Sequence, residues 1–447
     1  MIAGKGNPAY RGGVRPWHGQ GVTIAVSLTA EDVEAAASRL RGVISPSPLE
    51  PNARLSARTG AQVWLKREDL LPVRSYKLRG AYNLISQLDE SALAAGVVCA
   101  SAGNHAQGVA YACSRLGVRA RVYLPRTTPR QKRDRVAFLG GDVIEIRVVG
   151  ETYDEAAAAA LADTRASGAV LVPPFDDPRT VAGQGTVLRE VINQLGRAPE
   201  LVVVPVGGGG LLAGSLVWLR ERYPQVRVVG VEPAGAACMA AAFDAGQPVD
   251  LERVDPFVDG AAVRRAGTVT YPIVRERVVA GGAELVSVAE GAVCVEMLEL
   301  YQSDGIIAEP AGALACTALS QGLVGRDGLG PDATVVCLLS GGNNDVSRYA
   351  EIVERALVHE GRKHYFLVDF PQEPGALRRF LDDVLGPDDD ITLFEYVKRN
   401  NRETGPALVG IELGHPEDLN ALLERMRQAP PSIEPVPPDS PLFRFLL

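Results

Sequence analysis

Two stretches of this chain could do chemistry together. Lys77 stands in Ser75-Tyr76-Lys77-Leu78-Arg79-Gly80-Ala81, where helix-forming residues begin. Farther along, Gly207-Gly208-Gly209-Gly210 follows the apolar run Leu201 to Val206 and opens onto the helical stretch Leu211–Arg220. A primary amine can condense with an aldehyde. Bare backbone N–H groups at the start of a helix can hold a phosphate. Pyridoxal phosphate, an aldehyde carrying a phosphate, would use both.

Each candidate has a bland counterpart. Lys77 as a solvated surface lysine would need no special position, but at a helix N-terminus the macrodipole opposes its charge and favours the neutral, nucleophilic amine. The glycines could form a mere turn, yet they sit at a strand end, where open α/β sheets bind ligands. They are neither a GxGxxG with a following acidic residue nor a Walker sequence, which argues against nucleotides. Ser101-Ala102-Gly103-Asn104-His105 follows another apolar run. Its N–H groups could take a substrate carboxylate, and Asn104 could hydrogen-bond a phenolic oxygen. The alternative is an N-cap serine with a satisfied polar turn. For His105 alone, a structural hydrogen bond outweighs catalysis. Ser340-Gly341-Gly342-Asn343 ends the run Val335–Leu339, and Ser340 could donate to a pyridine nitrogen without protonating it. Glu309-Pro310-Ala311-Gly312 places one carboxylate before a helix. Five histidines without a paired acid motif support no metal centre.

These loops need strands and helices to position them. From residue 30 to 355, short β-branched runs alternate with Ala/Leu-rich stretches. The runs Val97–Ala100, Ala120–Leu124, Leu201–Val206 and Thr334–Leu339 are continuously apolar, as in strands covered on both faces. Helices are expected over Ala30–Leu40, Leu78–Gln87, Ala106–Arg115, Gly183–Gln194 and Leu211–Glu221 among others. This repetition predicts an α/β protein built on two open, mostly parallel sheets. We expect an N-terminal arm over 1–29, a catalytic domain over 30–357 with a smaller subdomain inserted at about 78–180, and a third unit over 358–447. The last reads as β-α-β-β-α, closing with the apolar Pro441–Leu447: a small α+β domain of a kind that often binds an effector or a neighbouring subunit.

Composition narrows the function classes. The 447 residues exceed one core, and 46% apolar with 22% charged residues is ordinary globular material. A net charge of −8 argues against nucleic acid or an anionic membrane surface as main partner. The uncharged stretch from Glu200 to Arg220 has the length of a membrane span, but four glycines interrupt it. Six cysteines, none in a CxxC pair, read as buried thiols of a reducing compartment, so the cytoplasm is expected.

Taken together these motifs resemble the fold-type II pyridoxal-phosphate enzymes, most closely the threonine dehydratases (threonine ammonia-lyases) of the biosynthetic kind. The resemblance covers residues 30–355. The stretch from Tyr365 through Leu413, with Phe370-Pro371-Gln372-Glu373-Pro374-Gly375-Ala376-Leu377, looks like that family's C-terminal ACT-like regulatory domain in one copy. It implies Lys77 as the Schiff-base lysine, Asn104 against the cofactor's 3′ oxygen and Gly207, Gly208, Gly209 and Gly210 around its phosphate. It also implies Ser340 facing the ring nitrogen, and Ser101, Ala102, Gly103, Asn104 and His105 binding the substrate carboxylate. β-Elimination from L-threonine, with L-serine also a substrate, isoleucine as effector and a homotetramer are the expectations it carries. Two departures matter. Ala102 stands where serine racemases of this fold keep a second acid/base serine, and Cys238 stands where a divalent-cation ligand would fall. Racemisation and a divalent site are therefore disfavoured. A catabolic serine/threonine dehydratase, a threonine-synthase-like enzyme or a non-catalytic amino-acid sensor are the competing readings.

Overall fold

The computed structural model describes residues 28–324, 329–398, 401–429, 432–437 and 440–446. The expected N-terminal arm lies outside the described residues, apart from its last two positions. The chain divides into two compact units, one ending at Asp345 and the other beginning at Val346. The cut precedes the helix Tyr349–His359, rather than following it as the sequence had suggested.

The first unit holds two sheets. The larger has six strands in the order Leu49–Pro51, Gln62–Arg67, Thr334–Leu339, Leu201–Pro205, Arg227–Pro233, Ala283–Val288. All its pairs are parallel except the first, which is antiparallel. The smaller sheet is entirely parallel, in the order Ile144–Val148, Ala120–Leu124, Val97–Ala100, Val170–Leu171. Every residue of Val97–Ala100, Leu201–Pro205 and Thr334–Leu339 is buried. Helices cover both faces of these strands, which is why their sequences run apolar instead of alternating. The uncharged stretch from Glu200 resolves into one of these strands, the glycine loop and the helix Gly210–Arg222. Among the described residues, no helix is long and apolar enough to cross a membrane.

Local chemistry explains the helix ends. Thr152 and Glu155 form a capping box that starts Tyr153–Ser167, and Gly168 ends it at φ 73° in the left-handed region. Asp177 caps Pro178–Leu195 with proline at the first turn. That helix begins five residues before the expected Gly183, because its small residues serve packing and not breakage. A Cβ on Gly183 would lie 2.5 Å from the Arg79 carbonyl oxygen, and one on Gly185 would lie 2.5 Å from that of Gly214. Three helices, Lys77–Ile85, Pro178–Leu195 and Gly210–Arg222, thus pack backbone against backbone at these points.

Arg79 anchors the first of these helices from inside. Its fully buried guanidinium donates to both carboxylate oxygens of Glu68 (2.7 and 2.8 Å) and to both of Glu190 (2.7 and 2.8 Å). Lys66 Nζ adds a second cation at 2.9 Å from Glu190. All six cysteines are buried in this unit, and none is in a disulfide.

The second unit is an antiparallel sheet in the order Asp390–Tyr396, Thr404–Glu412, Lys363–Pro371, Ser432–Pro435. The helices Ala376–Val384 and Leu419–Gln428 pack on a core that includes Phe366, Phe370, Phe380, Val409, Ile411 and Leu422. The strand Ser432–Pro435 completes a β-α-β-β-α-β order that the sequence reading left one strand short. Four residues with two prolines at its borders gave too little pattern to detect. Lys363 pairs with Glu354 at 3.1 Å, tying the helix Tyr349–His359 to this unit's sheet.

Candidate active site

A cavity of about 750 Å³ in the first unit collects most of the residues singled out by sequence. Lys77, Ser101, Ala102, Gly103, Asn104, His105 and Gly207 through Gly210 all line it. They come from the ends of both sheets. Ser101–Gly103 follow the strand Val97–Ala100 of the small sheet, and the glycines follow Leu201–Pro205 of the large one.

Lys77 is the first residue of its helix, and its Nζ donates to the carbonyl oxygen of Pro174 at 3.1 Å. Burial pulls its pKa down to about 8, with the Glu309 carboxylate pulling the other way. The helix terminus was the expected cause; withdrawal from water is the main one.

In the glycine loop, Gly209 takes φ 93°, a left-handed conformation costly for any side chain. A Cβ on Gly208 would lie 2.3 Å from the Phe175 ring, and one on Gly209 would lie 2.5 Å from Met239 Cε. Thr270 Oγ1 donates to the Gly208 carbonyl at 2.6 Å and fixes the loop from behind. Among the described residues, the N–H groups of Gly207, Gly208, Gly209 and Gly210 meet no protein acceptor. Four unpaired donors at the N-terminus of Gly210–Arg222, in one cavity with a buried amine, fit an aldehyde phosphate.

In the Ser101–His105 loop, Ser101 Oγ accepts from the Gly103 N–H at 3.2 Å, and the helix Asn104–Leu116 starts two residues before the expected Ala106. His105 Nε2 lies 2.7 Å from the Val172 carbonyl oxygen. A carbonyl only accepts, so Nε2 carries the proton. Burial, aided by the charge of Lys77, drives the His105 pKa down to about 3, so the ring is neutral at any working pH. Its hydrogen bond is the structural one weighed from sequence.

Asn104 is more heavily engaged than its motif implied. Its Nδ2 donates to Glu309 Oε1 at 2.6 Å, and its Oδ1 accepts from Asn343 Nδ2 at 2.7 Å. Glu309 is 4% exposed, and burial, together with Asp259, raises its pKa to about 7. Ser340 is not among the lining residues: its hydroxyl is buried and donates to the Ala311 carbonyl at 3.3 Å. Its own carbonyl accepts the Tyr76 N–H at 3.2 Å, beside Lys77.

Sequence reasoning gave no role to Phe175, Asn343 or Lys132, all of which line the cavity. Asn343 did stand in a quoted motif, Ser340-Gly341-Gly342-Asn343. Lys132, paired with Asp259 at 2.6 Å, sits in an unremarkable basic helix. Cys238, where a cation ligand was in question, is buried with its thiol toward the Gly207 carbonyl. The neighbouring Glu232 accepts the N–H groups of Met239 and Ala240. Among the described residues, no cluster of acidic, His or Cys side chains could hold a metal ion.

Two open sheets meeting over a lysine and a phosphate cradle define a fold-type II pyridoxal-phosphate enzyme, and residues 40–341 match the family described as Pyridoxal-phosphate dependent enzyme. Residues 354–446 match the C-terminal regulatory domain of Threonine dehydratase. The chain belongs to the biosynthetic threonine dehydratase family. It is 64% identical over 424 residues to the L-threonine dehydratase biosynthetic IlvA of Mycobacterium tuberculosis, covering 94% of this chain and 96% of that one. It is 46% identical to the Bacillus subtilis protein of the same name, over 94% of this chain and 98% of the other. Threonine deaminase isoform 2 from Solanum lycopersicum superposes with a TM-score of 0.68 at 38% identity, over 73% of this chain and 87% of that one. Maize serine racemase superposes with a TM-score of 0.66 at 27% identity, over 74% and 98%. The cofactor, the lyase class and the regulatory domain expected from sequence are thereby borne out.

Proposed function

We propose that this chain deaminates L-threonine to 2-oxobutanoate and ammonia as the first step of isoleucine biosynthesis, with Lys77 as its catalytic base. The observation that carries the reading is the shared cavity: a buried amine of lowered pKa and four unpaired glycine N–H groups.

The residues divide the work. Gly207, Gly208, Gly209 and Gly210 hold the cofactor phosphate on backbone N–H groups. Lys77 would hold the cofactor's aldehyde through its buried amine. Pyridoxal phosphate supplies, when bound, the electron sink for the charge left at the substrate's α-carbon. The Lys77 amine, whose neutral form is favoured by its withdrawal from water, takes the α-proton. The Ser101–His105 loop binds the substrate carboxylate, with Gly103 keeping its backbone open. Asn104 meets the phenolic oxygen. Ser340, whose hydroxyl donates to Ala311, would be the residue at the ring nitrogen; a serine there would leave that nitrogen unprotonated, favouring departure of the β-hydroxyl over transamination. Ala102 offers no proton to the opposite face of the substrate, so racemisation has no second carrier.

L-Serine is a second substrate, isoleucine the effector bound by the second unit, a cytoplasmic homotetramer the working form. Feedback requires the effector to favour one of two states. Following 2-oxoacid release from threonine and serine, with and without isoleucine or valine, tests the reading. Faster turnover of threonine than serine and inhibition by isoleucine are expected. Absence of 2-oxobutanoate would overturn the activity. Lys77→Ala should lose the visible cofactor absorption and all turnover together.

A further inference from the structure

Asn104, Glu309 and Asn343 close a ring of hydrogen bonds in the cavity wall. Asn343 Nδ2 donates to Asn104 Oδ1 (2.7 Å), and Asn104 Nδ2 donates to Glu309 Oε1 (2.6 Å). The backbone N–H of Asn343 returns to Glu309 Oε2 (3.2 Å). A side-chain amide can be turned end for end without a change of shape, exchanging donor for acceptor. Only a partner that cannot invert can fix its polarity.

The Val73 carbonyl is such a partner. Asn343 Nδ2 also donates to it, at 2.8 Å. With both Asn343 hydrogens committed to acceptors, Asn104 has to offer Oδ1 to Asn343 and its NH2 to Glu309. That NH2 carries two hydrogens, and among the described residues only Glu309 accepts from it. The remaining N–H belongs to a residue that lines the cavity.

We propose that Asn343 is a positioning residue that sets the polarity of the Asn104 amide, so that an N–H and not an oxygen is presented to the phenolic oxygen of the bound cofactor. This rests on the role given to Asn104 above. Glu309 completes the ring as the acceptor that the fixed polarity demands.

The full-length, cofactor-loaded protein gives the test. Asn343→Asp keeps the side chain's size but replaces the donor by an acceptor, so Asn104 can hydrogen-bond it only by turning its NH2 toward position 343 and its oxygen toward Glu309. Expected is at least a twofold fall in the ratio of visible to near-ultraviolet cofactor absorption at fixed pH, with weaker retention of pyridoxal phosphate on dialysis. Asn104→Ala should produce the same spectral change. In the double variant Asn343→Asp, Glu309→Gln, the glutamine amide can donate to a turned-over Asn104. Thermal stability should recover there while the absorption ratio stays low. If Asn343→Asp keeps the unaltered ratio while Asn104→Ala changes it, the polarity assignment is wrong. An unchanged ratio in Asn104→Ala refutes the underlying role of Asn104, and the proposal with it. Recovery of ratio and stability together in the double variant would show a purely structural role and overturn the proposal.

Discussion

At the residue scale, Lys77 shows how burial makes a nucleophile. An ordinary lysine is protonated up to about pH 10.4. Here the pKa falls to about 8 because the amine is withdrawn from water, and the nearby Glu309 only partly offsets that loss. Protonation removes the nucleophile, so the neutral fraction grows as pH rises and saturates once the pKa is passed. The cofactor-free protein should therefore capture pyridoxal phosphate faster as pH rises, levelling off above about pH 8. Stopped-flow absorbance after mixing measures this directly. A rate still climbing steeply toward pH 10 would mean that the amine is solvated. The same residue shows what the sequence made legible. Lys77 was recognisable from its motif and helix position, but the cause of its reactivity depends on which distant segments cover it. Pro174, nearly a hundred residues away, supplies its hydrogen bond, and no local pattern encodes that contact.

At the element scale, the glycine loop was legible because glycines at a strand-to-helix junction carry a conformational signature of their own. Gly209→Ala would force a side chain into the left-handed region, costing about 1–2 kcal/mol. It would also drive a Cβ to 2.5 Å from Met239. Cofactor affinity should fall at least 5–30-fold, the range that this strain alone accounts for. Fluorescence titration of the cofactor-free protein would measure it, and undiminished affinity would argue against the phosphate cradle. The helix Lys77–Ile85 offers a second test, through Arg79. Replacing Arg79 by Leu leaves the buried Glu68 and the half-buried Glu190 without their shared cation, for which a loss of about 3–5 kcal/mol is the usual scale. Denaturant unfolding of the loaded enzyme should show it as a markedly lower midpoint. Regular strands such as Val97–Ala100 and Thr334–Leu339 were read to the residue because their apolar runs are unbroken. The short helices Ala53–Thr59 and Thr270–Val279 were missed. Neither spans more than about three turns, and tertiary contacts rather than periodicity hold them.

At the scale of the whole molecule, the chain is two compact units with separate cores. The boundary at Asp345 gives a cleaner division for truncation than one after Leu357, which would cut the helix Tyr349–His359. A chain ending at Asp345 should still release 2-oxobutanoate from threonine but no longer respond to isoleucine. Persistent isoleucine inhibition in that fragment would place the effector site elsewhere. The sequence separated the two units by their change of pattern, yet it put the connecting helix with the first unit, because the helix's partners Lys363 and Tyr365 come later in the chain.

The placement of the thiols has a practical consequence. All six sulfhydryls belong to the unit that ends at Asp345, each shielded from solvent, and the sequence after it has none. A maleimide dye added to the native enzyme is therefore a one-sided clock: it ticks only when the catalytic core opens and stays blind to melting of the C-terminal part. Comparing its labelling rate with and without isoleucine would show whether the effector's grip reaches the core's own breathing.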